Sequence, residues 1–133
     1  MADQTIDELL KEDHASILAA VRERMRGDET MGAVAAVREL SEGDLTAQVL
    51  DFWLQGIRTD LALGITHTMQ QNLEWLVAFR AGHELPFDGR SVAWMFAEIS
   101  DEILARLPAD DLRAEYETYA AAVRQLIAQT FPA

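Results

Sequence analysis

Apolar residues recur at three- and four-residue spacing in long windows and never alternate over the length of a strand, so the pattern predicts helices throughout. The first window opens with Thr5-x-x-Glu8, a capping box, and carries Ile6, Leu9, Leu10, His14, Ile17, Val21 and Met25 on one face. Gly27-Asp28 supplies its stop, which predicts a helix over 6–26. A short helix is expected over 31–40, where Met31, Val34, Val37 and Leu40 form a narrow apolar edge. Asp44 is placed to cap a third helix, 45–63, with Leu45, Val49, Phe52, Trp53, Gly56, Ile57 and Leu61 as its bulky stripe. Gly64 ends it. Thr66 or Thr68 is then expected to cap a helix over 67–81 whose side is Met69, Leu73, Leu76 and Phe79, with Trp75 pointing elsewhere and Gly82 as its terminator. Leu85-Pro86-Phe87-Asp88 makes an extended corner, because the residue before proline is pushed out of the α region. Val92, Met95, Phe96, Ile99, Ile103 and Leu107 predict a helix over 89–107. Beyond Pro108, Leu112, Tyr116, Tyr119, Val123, Leu126 and Ile127 predict one over 109–131, whose opening Asp110-Asp111 suits the helix dipole.

The fold class is therefore all-α, five to six helices in one domain over 1–133, a length that suits a single core. No internal repeat or linker divides it. Cysteine is absent, which excludes a disulfide scaffold and thiol chemistry. Twenty-three acidic residues stand against 11 basic ones, a net charge of −12. Phosphate-backbone binding needs a clustered Lys/Arg surface, so no nucleic-acid partner is expected. No apolar run approaches the length of a membrane span, and the acidic start does not resemble a signal peptide, so a cytoplasmic location away from membranes is expected.

Most catalytic and metal constellations fail by spacing. None of His14, His67 and His83 follows a Glu by three residues, as carboxylate-bridged di-iron bundles require. His83-Glu84 lacks the second His of a zinc helix and sits beside Pro86. No phosphate loop or nucleophile elbow is present. The chain is expected to be no enzyme, with no catalytic residue, no metal and no cofactor. His14, inside an apolar stripe, reads as a neutral core-edge imidazole holding one hydrogen bond, with a cofactor ligand as the alternative. Gly56 in mid-helix costs about 1 kcal/mol relative to Ala. Close approach of another helix would explain it, as would a small pocket beside Phe52 and Trp53. If a ligand binds, the candidate lining is Phe52, Trp53, His67, Met69 and Trp75.

The corner HELPFD before the helix over 89–107 is similar to the one preceding the penultimate helix of globins. In that family the proximal histidine lies about one turn ahead of such a corner, a place held here by Val77, Ala78, Phe79 and Arg80. The resemblance implies a globin-like shape without its iron ligand. The opening helix IDELLKEDHASILAAVRERM, the LxxGI-T start from Leu61 to Thr66 and the aromatic closing pair of helices together resemble the non-haem globin-like N-terminal domains of the stressosome RsbR type. That resemblance implies a regulatory domain of a bacterial stress response, dimeric through its last helices and followed in that family by a phosphorylatable domain.

The last helix also displays a broad apolar face, wider than one neighbour would cover, and Trp94 lies off the stripe of the helix before it. Partly exposed aromatics favour interfaces. A homodimer through Trp94, Tyr116, Tyr119, Val123, Leu126 and Ile127 is expected, with closure of the chain's own core as the alternative. The functional expectation is a non-catalytic sensor or signalling domain that passes a ligand or protein-partner signal through dimer geometry. A small-ligand or haem carrier is the alternative, and a protein–protein adaptor the second.

Overall fold

A computed structural model describes residues 5–27, 45–83 and 89–131 of the chain. These form five helices and no strand: α1 (Ile6–Gly27), α2 (Leu45–Leu63), α3 (His67–His83), α4 (Gly89–Arg106) and α5 (Asp110–Thr130). The helix expected over 31–40, the Asp44 cap and the corner with Pro86 and Asp88 lie outside the described residues. Helix α1 packs chiefly on α2 and α4, α2 also on α3, and α5 lies against both α3 and α4. The five helices thus close a ring, α1–α2–α3–α5–α4, around a single core.

The stripes read from the sequence fill that core in four of the five helices. Ile6, Leu10, Ile17, Val21 and Met25 of α1 are buried, as are Met69, Leu73 and Leu76 of α3 and Val92, Met95, Phe96, Ile99 and Ile103 of α4. The Glu8 N–H donates to Thr5 Oγ1 at 3.2 Å, the cap expected there. Helix α2 is the exception. Its buried face is Val49, Leu50, Trp53, Leu54 and Ile57, while Phe52 stands 55% exposed. The window is apolar almost all round, so periodicity did not single out the arc that faces inward.

Two glycines serve the α2–α3 junction. Gly64 adopts a left-handed φ of 69°, and the Ile65 N–H beyond it donates to the Asp60 carbonyl at 3.0 Å. This is the six-to-one bond of a Schellman motif, which satisfies a carbonyl that the helix end leaves free. At Gly56 a Cβ would sit 2.7 Å from Asn72 Nδ2 and 3.1 Å from Thr68 Cγ2, so the missing side chain lets α3 approach α2. Gly82 does not terminate α3, which continues through it to His83.

The start of α3 is capped from outside its own sequence. Asp60, fully buried, accepts the N–H groups of Thr68 at 2.9 Å and Met69 at 3.0 Å, the two amides that a Thr66 cap would have served. It also accepts the Tyr119 hydroxyl at 2.8 Å. One carboxylate therefore joins α2, α3 and α5. Between α4 and α5, the Ser100 and Tyr116 hydroxyls bond at 2.8 Å inside the core. On the other side of the ring, Arg24 of α1 donates to Glu98 at 3.0 Å and to Glu102 at 2.7 Å. Arg106 pairs with Glu102 and, at 3.5 Å, with Asp13.

Burying a carboxylate costs several kcal/mol unless hydrogen bonds compensate it. Asp60→Ala is expected to destabilise the chain by about 3–5 kcal/mol, because it strips two amides and a phenol of their acceptor at once. Tyr119→Phe is expected to cost about 1–3 kcal/mol. Urea unfolding of both variants checks the order, and an Asp60→Ala midpoint equal to that of the parent contradicts it.

The hydrogen bond from Arg106 is the largest cause that holds the Glu102 carboxyl below its ordinary value of 4.5; burial opposes it and Arg24 reinforces it. A carboxyl depressed on folding contributes stability that is present above 4.5 and is lost as the pH falls through its folded value. The stability gap between the parent and Glu102→Gln should therefore be widest above pH 4.5 and narrow below it. A gap that stays constant on acidification, measured by urea unfolding, contradicts this.

Candidate functional site

Close approach at Gly56 brings the outer edges of α2 and α3 side by side. Val49, Phe52 and Trp53 of α2 and Asn72 and Trp75 of α3 enclose a crease of about 210 Å³. Trp53 is buried and forms its base, whereas Phe52 and Trp75, 55% and 49% exposed, stand at the surface. The Asn72 amide donates to the Phe52 carbonyl at 3.3 Å, which ties the two walls together. Met69, beside the crease, is wholly buried, and its N–H is one of the two bound by Asp60. With the Asn72 and Thr68 side chains seated against Gly56, two large exposed aromatics stand over a mostly apolar slot.

Of the five candidate lining residues, the structure brings Phe52, Trp53 and Trp75 to one crease. Met69 lies in the core instead. His67 stands exposed as the first residue of α3 and does not line the crease. Val49 and Asn72 were missed: the first reads as ordinary stripe, and the second lies one turn before Trp75, a spacing that could have flagged it.

His14 is held by more than the single bond expected. Its Nε2 lies 2.6 Å from Asp51 Oδ1 and its Nδ1 lies 3.3 Å from Arg58 Nη1. Arginine can only donate, so Nδ1 is the acceptor and Nε2–H donates to Asp51. Arg58 also donates to Asp7 at 3.0 Å, and Gln55 donates to Asp51 at 2.7 Å. Asp7, His14, Gln55 and Arg58 line a depression of about 490 Å³ on the α1–α2 seam. Both imidazole nitrogens are engaged, so His14 works as a staple between α1 and α2. Among the described residues, no three His, Asp or Glu side chains are placed to hold a metal ion.

A broader depression of about 660 Å³ follows the α2–α3 turn and the flank of α5, with Leu63 and Ile65 exposed at its rim. Its inward-reaching polar groups, Asp60 and Tyr119, bond to each other. Burial and the adjacent Asp60 charge push the Tyr119 phenol far above its ordinary value, so it stays protonated and donates. Burial also raises Tyr116, against the opposing hydrogen bond of Ser100.

The residues expected to form a dimer face lie elsewhere. Tyr116 and Val123 are fully buried within one chain, Tyr119 and Ile127 nearly so, and Leu126 and Trp94 pack partly buried at the core's edge. The face of α5 is wider than one neighbour can cover, but it has two, α3 and α4, and together they cover it. Where the resemblance to globins would put an iron ligand, Val77 is partly buried against the core and Ala78 is exposed. The side chains of Phe79, Arg80 and His83 lie outside the described set.

Of the tryptophans, Trp53 is buried, Trp94 half-buried and Trp75 half-exposed. Acrylamide, which is uncharged and indifferent to the net −12, should quench the parent strongly, and Trp75→Phe should remove most of the quenchable emission. Trp53→Phe should leave it. Equal loss from both replacements contradicts the placement of Trp75.

No protein-family model matches the chain, and no curated protein or solved structure is significantly similar to it.

Proposed function

We propose that the chain is a non-catalytic helical sensor domain that takes a small, largely apolar ligand in the α2–α3 crease. The observation that carries this reading is the pair Phe52 and Trp75, two large aromatics exposed on facing walls above a buried indole, where a core-building sequence would place polar residues. The polar clusters support it from the other side. Among the described residues, Asp60, Tyr119, His14, Asp51 and Arg58 are each engaged by hydrogen bonds that hold helices together, so these polar clusters read as structural.

The crease is also connected to the rest of the ring. A ligand that spreads α2 from α3 strains the Asn72 to Phe52 bond and the Asp60 cap, and Asp60 is in turn bonded to Tyr119 on α5. A signal that begins in the crease thus has a direct route to the last helix. The resemblance of the opening helix and of Leu61–Thr66 to stressosome N-terminal domains is the reason to place such a sensor in a bacterial regulatory assembly, where protein partners would read the change. A dimer in that assembly would use surfaces other than the buried face of α5.

A neutral apolar fluorophore such as N-phenyl-1-naphthylamine tests the ligand site. It is expected to bind the parent and to lose about tenfold or more in affinity when Phe52 and Trp75 are both replaced by Ala, as truncation of central aromatics does. Both side chains are exposed, so the variant should keep its helical circular dichroism. Unchanged affinity in the double variant overturns the proposal.

A further inference from the structure

The two ring nitrogens of His14 are bonded by groups of opposite charge, which makes the α1–α2 seam sensitive to a single proton. Nε2–H donates to the Asp51 carboxylate at 2.6 Å, and Nδ1 accepts from Arg58 Nη1 at 3.3 Å. Arg58 also donates through Nε to Asp7 at 3.0 Å, so one guanidinium of α2 bonds two side chains of α1. This arrangement needs a neutral imidazole. Arginine has donors only, and a proton on Nδ1 turns the acceptor into a second donor that carries a second positive charge. The bond from Arg58 to His14 does not survive that step, whereas the bond to Asp51 becomes charge-assisted on both sides. Imidazole is the side chain suited to such a step, since in ordinary surroundings it changes charge between about pH 5 and 8.

The His14 side chain is 18% exposed and lines the depression on the seam, so water reaches it. Among the described residues, α2 turns Asp51 and Arg58 toward the ring. On α4, the other helix packed chiefly on α1, Glu98, Glu102 and Arg106 engage Arg24 and Asp13 instead. On α1 itself, Asp7 meets the ring through Arg58, and Lys11, one turn before it, is exposed.

We infer that His14 is a proton switch in the α1–α2 seam: neutral, it holds Arg58, and protonated at Nδ1 it lets Arg58 go. The proton comes from water, Asp51 keeps Nε2–H, and Arg58 remains on Asp7 alone. The guanidinium then turns away from the new cation and reshapes the depression that it lines with Thr59, Ala62 and Leu63 of the last turns of α2. Asp60, which caps α3, lies two residues beyond Arg58, so the released segment adjoins the α2–α3 junction. The pair of His14 and Asp51 still joins the helices, and the change is a local exchange of partners within a folded chain. The switch works without a ligand in the crease.

The full chain, labelled with ¹⁵N and ¹³C, is titrated from about pH 8 to 5 while the imidazole nitrogens of His14 and the guanidinium nitrogens of Arg58 are followed by NMR. Nδ1 is expected to pass from its unprotonated to its protonated range, and Arg58 Nη1 to move with the same midpoint. Two variants separate a switch from a merely structural histidine. Asp51→Asn keeps an acceptor for Nε2–H and removes its charge, so the His14 midpoint should fall by about half a pH unit or more. Arg58→Met removes donor and charge together, so the midpoint should rise by a similar amount. His14→Phe should abolish the Arg58 step; if that variant does not fold, the opposite displacements in the other two still decide. Arg58 that stays still while His14 titrates overturns the inference, as does a His14 that remains neutral throughout the range. An Arg58 step that persists in His14→Phe overturns it, and so do midpoints that move together, or not at all, in Asp51→Asn and Arg58→Met.

Discussion

Asp60 is the residue on which the arrangement of the helices depends. Its carbonyl closes α2 through the turn at Gly64, and its carboxylate opens α3 by accepting the amides of Thr68 and Met69. The same carboxylate takes the Tyr119 hydroxyl from α5. Removing such a group from water is expensive, and hydrogen bonds to a charged group return about 1.5–3 kcal/mol each. Three of them, with the positive end of α3 beside them, are enough to offset the burial. The geometry that results is specific, because no shift of α2 against α3 or α5 keeps all three.

The closed ring follows from that anchor and from the ion pairs on the opposite side. Arg24 and Arg106 meet at Glu102 where α1 lies on α4, so both sides of the bundle are fixed by charge as well as by packing. With α5 gripped between α3 and α4, its aromatic face is consumed inside the chain. Large aromatics then remain outside at the crease, where Gly56 draws α2 and α3 together beneath Phe52 and Trp75. Leu63 and Ile65 are exposed as well, at the α2–α3 turn, and it is the pairing of two aromatics over a buried indole that supports the proposed ligand site.

Much of this was legible in the residues. The windows from Ile6, Leu45, His67, Gly89 and Asp110 matched helices to within a few residues, because each carries a periodic apolar stripe, although the stop expected at Gly82 lies inside α3. Gly56 was readable as a close approach because a mid-helix glycine weakens its own helix and is offset where a neighbouring backbone needs the room. The inward arc of α2 was not readable, since Leu50, Phe52 and Leu54 are equally apolar and only the neighbours decide among them. The width of the α5 face suggested a dimer because a sequence shows how broad a face is and not how many helices cover it. Asp60 does leave a trace in the sequence. It continues the face of Trp53, Gly56 and Ile57, and an acid on an apolar arc just before a helix-ending glycine is a candidate tertiary cap. That its partners include Tyr119, 59 residues away, belongs to tertiary structure alone.

Native-state hydrogen exchange of the Thr68 and Met69 amides tests the central claim most directly. First-turn amides of a helix ordinarily face water and exchange by local fraying. If Asp60 holds them from inside the core, they should exchange only through global unfolding, with protection equal to that of the slowest amides around Val123 in α5. Exchange at the pace of a frayed helix end, with Val123 still protected, would contradict an anchor at Asp60.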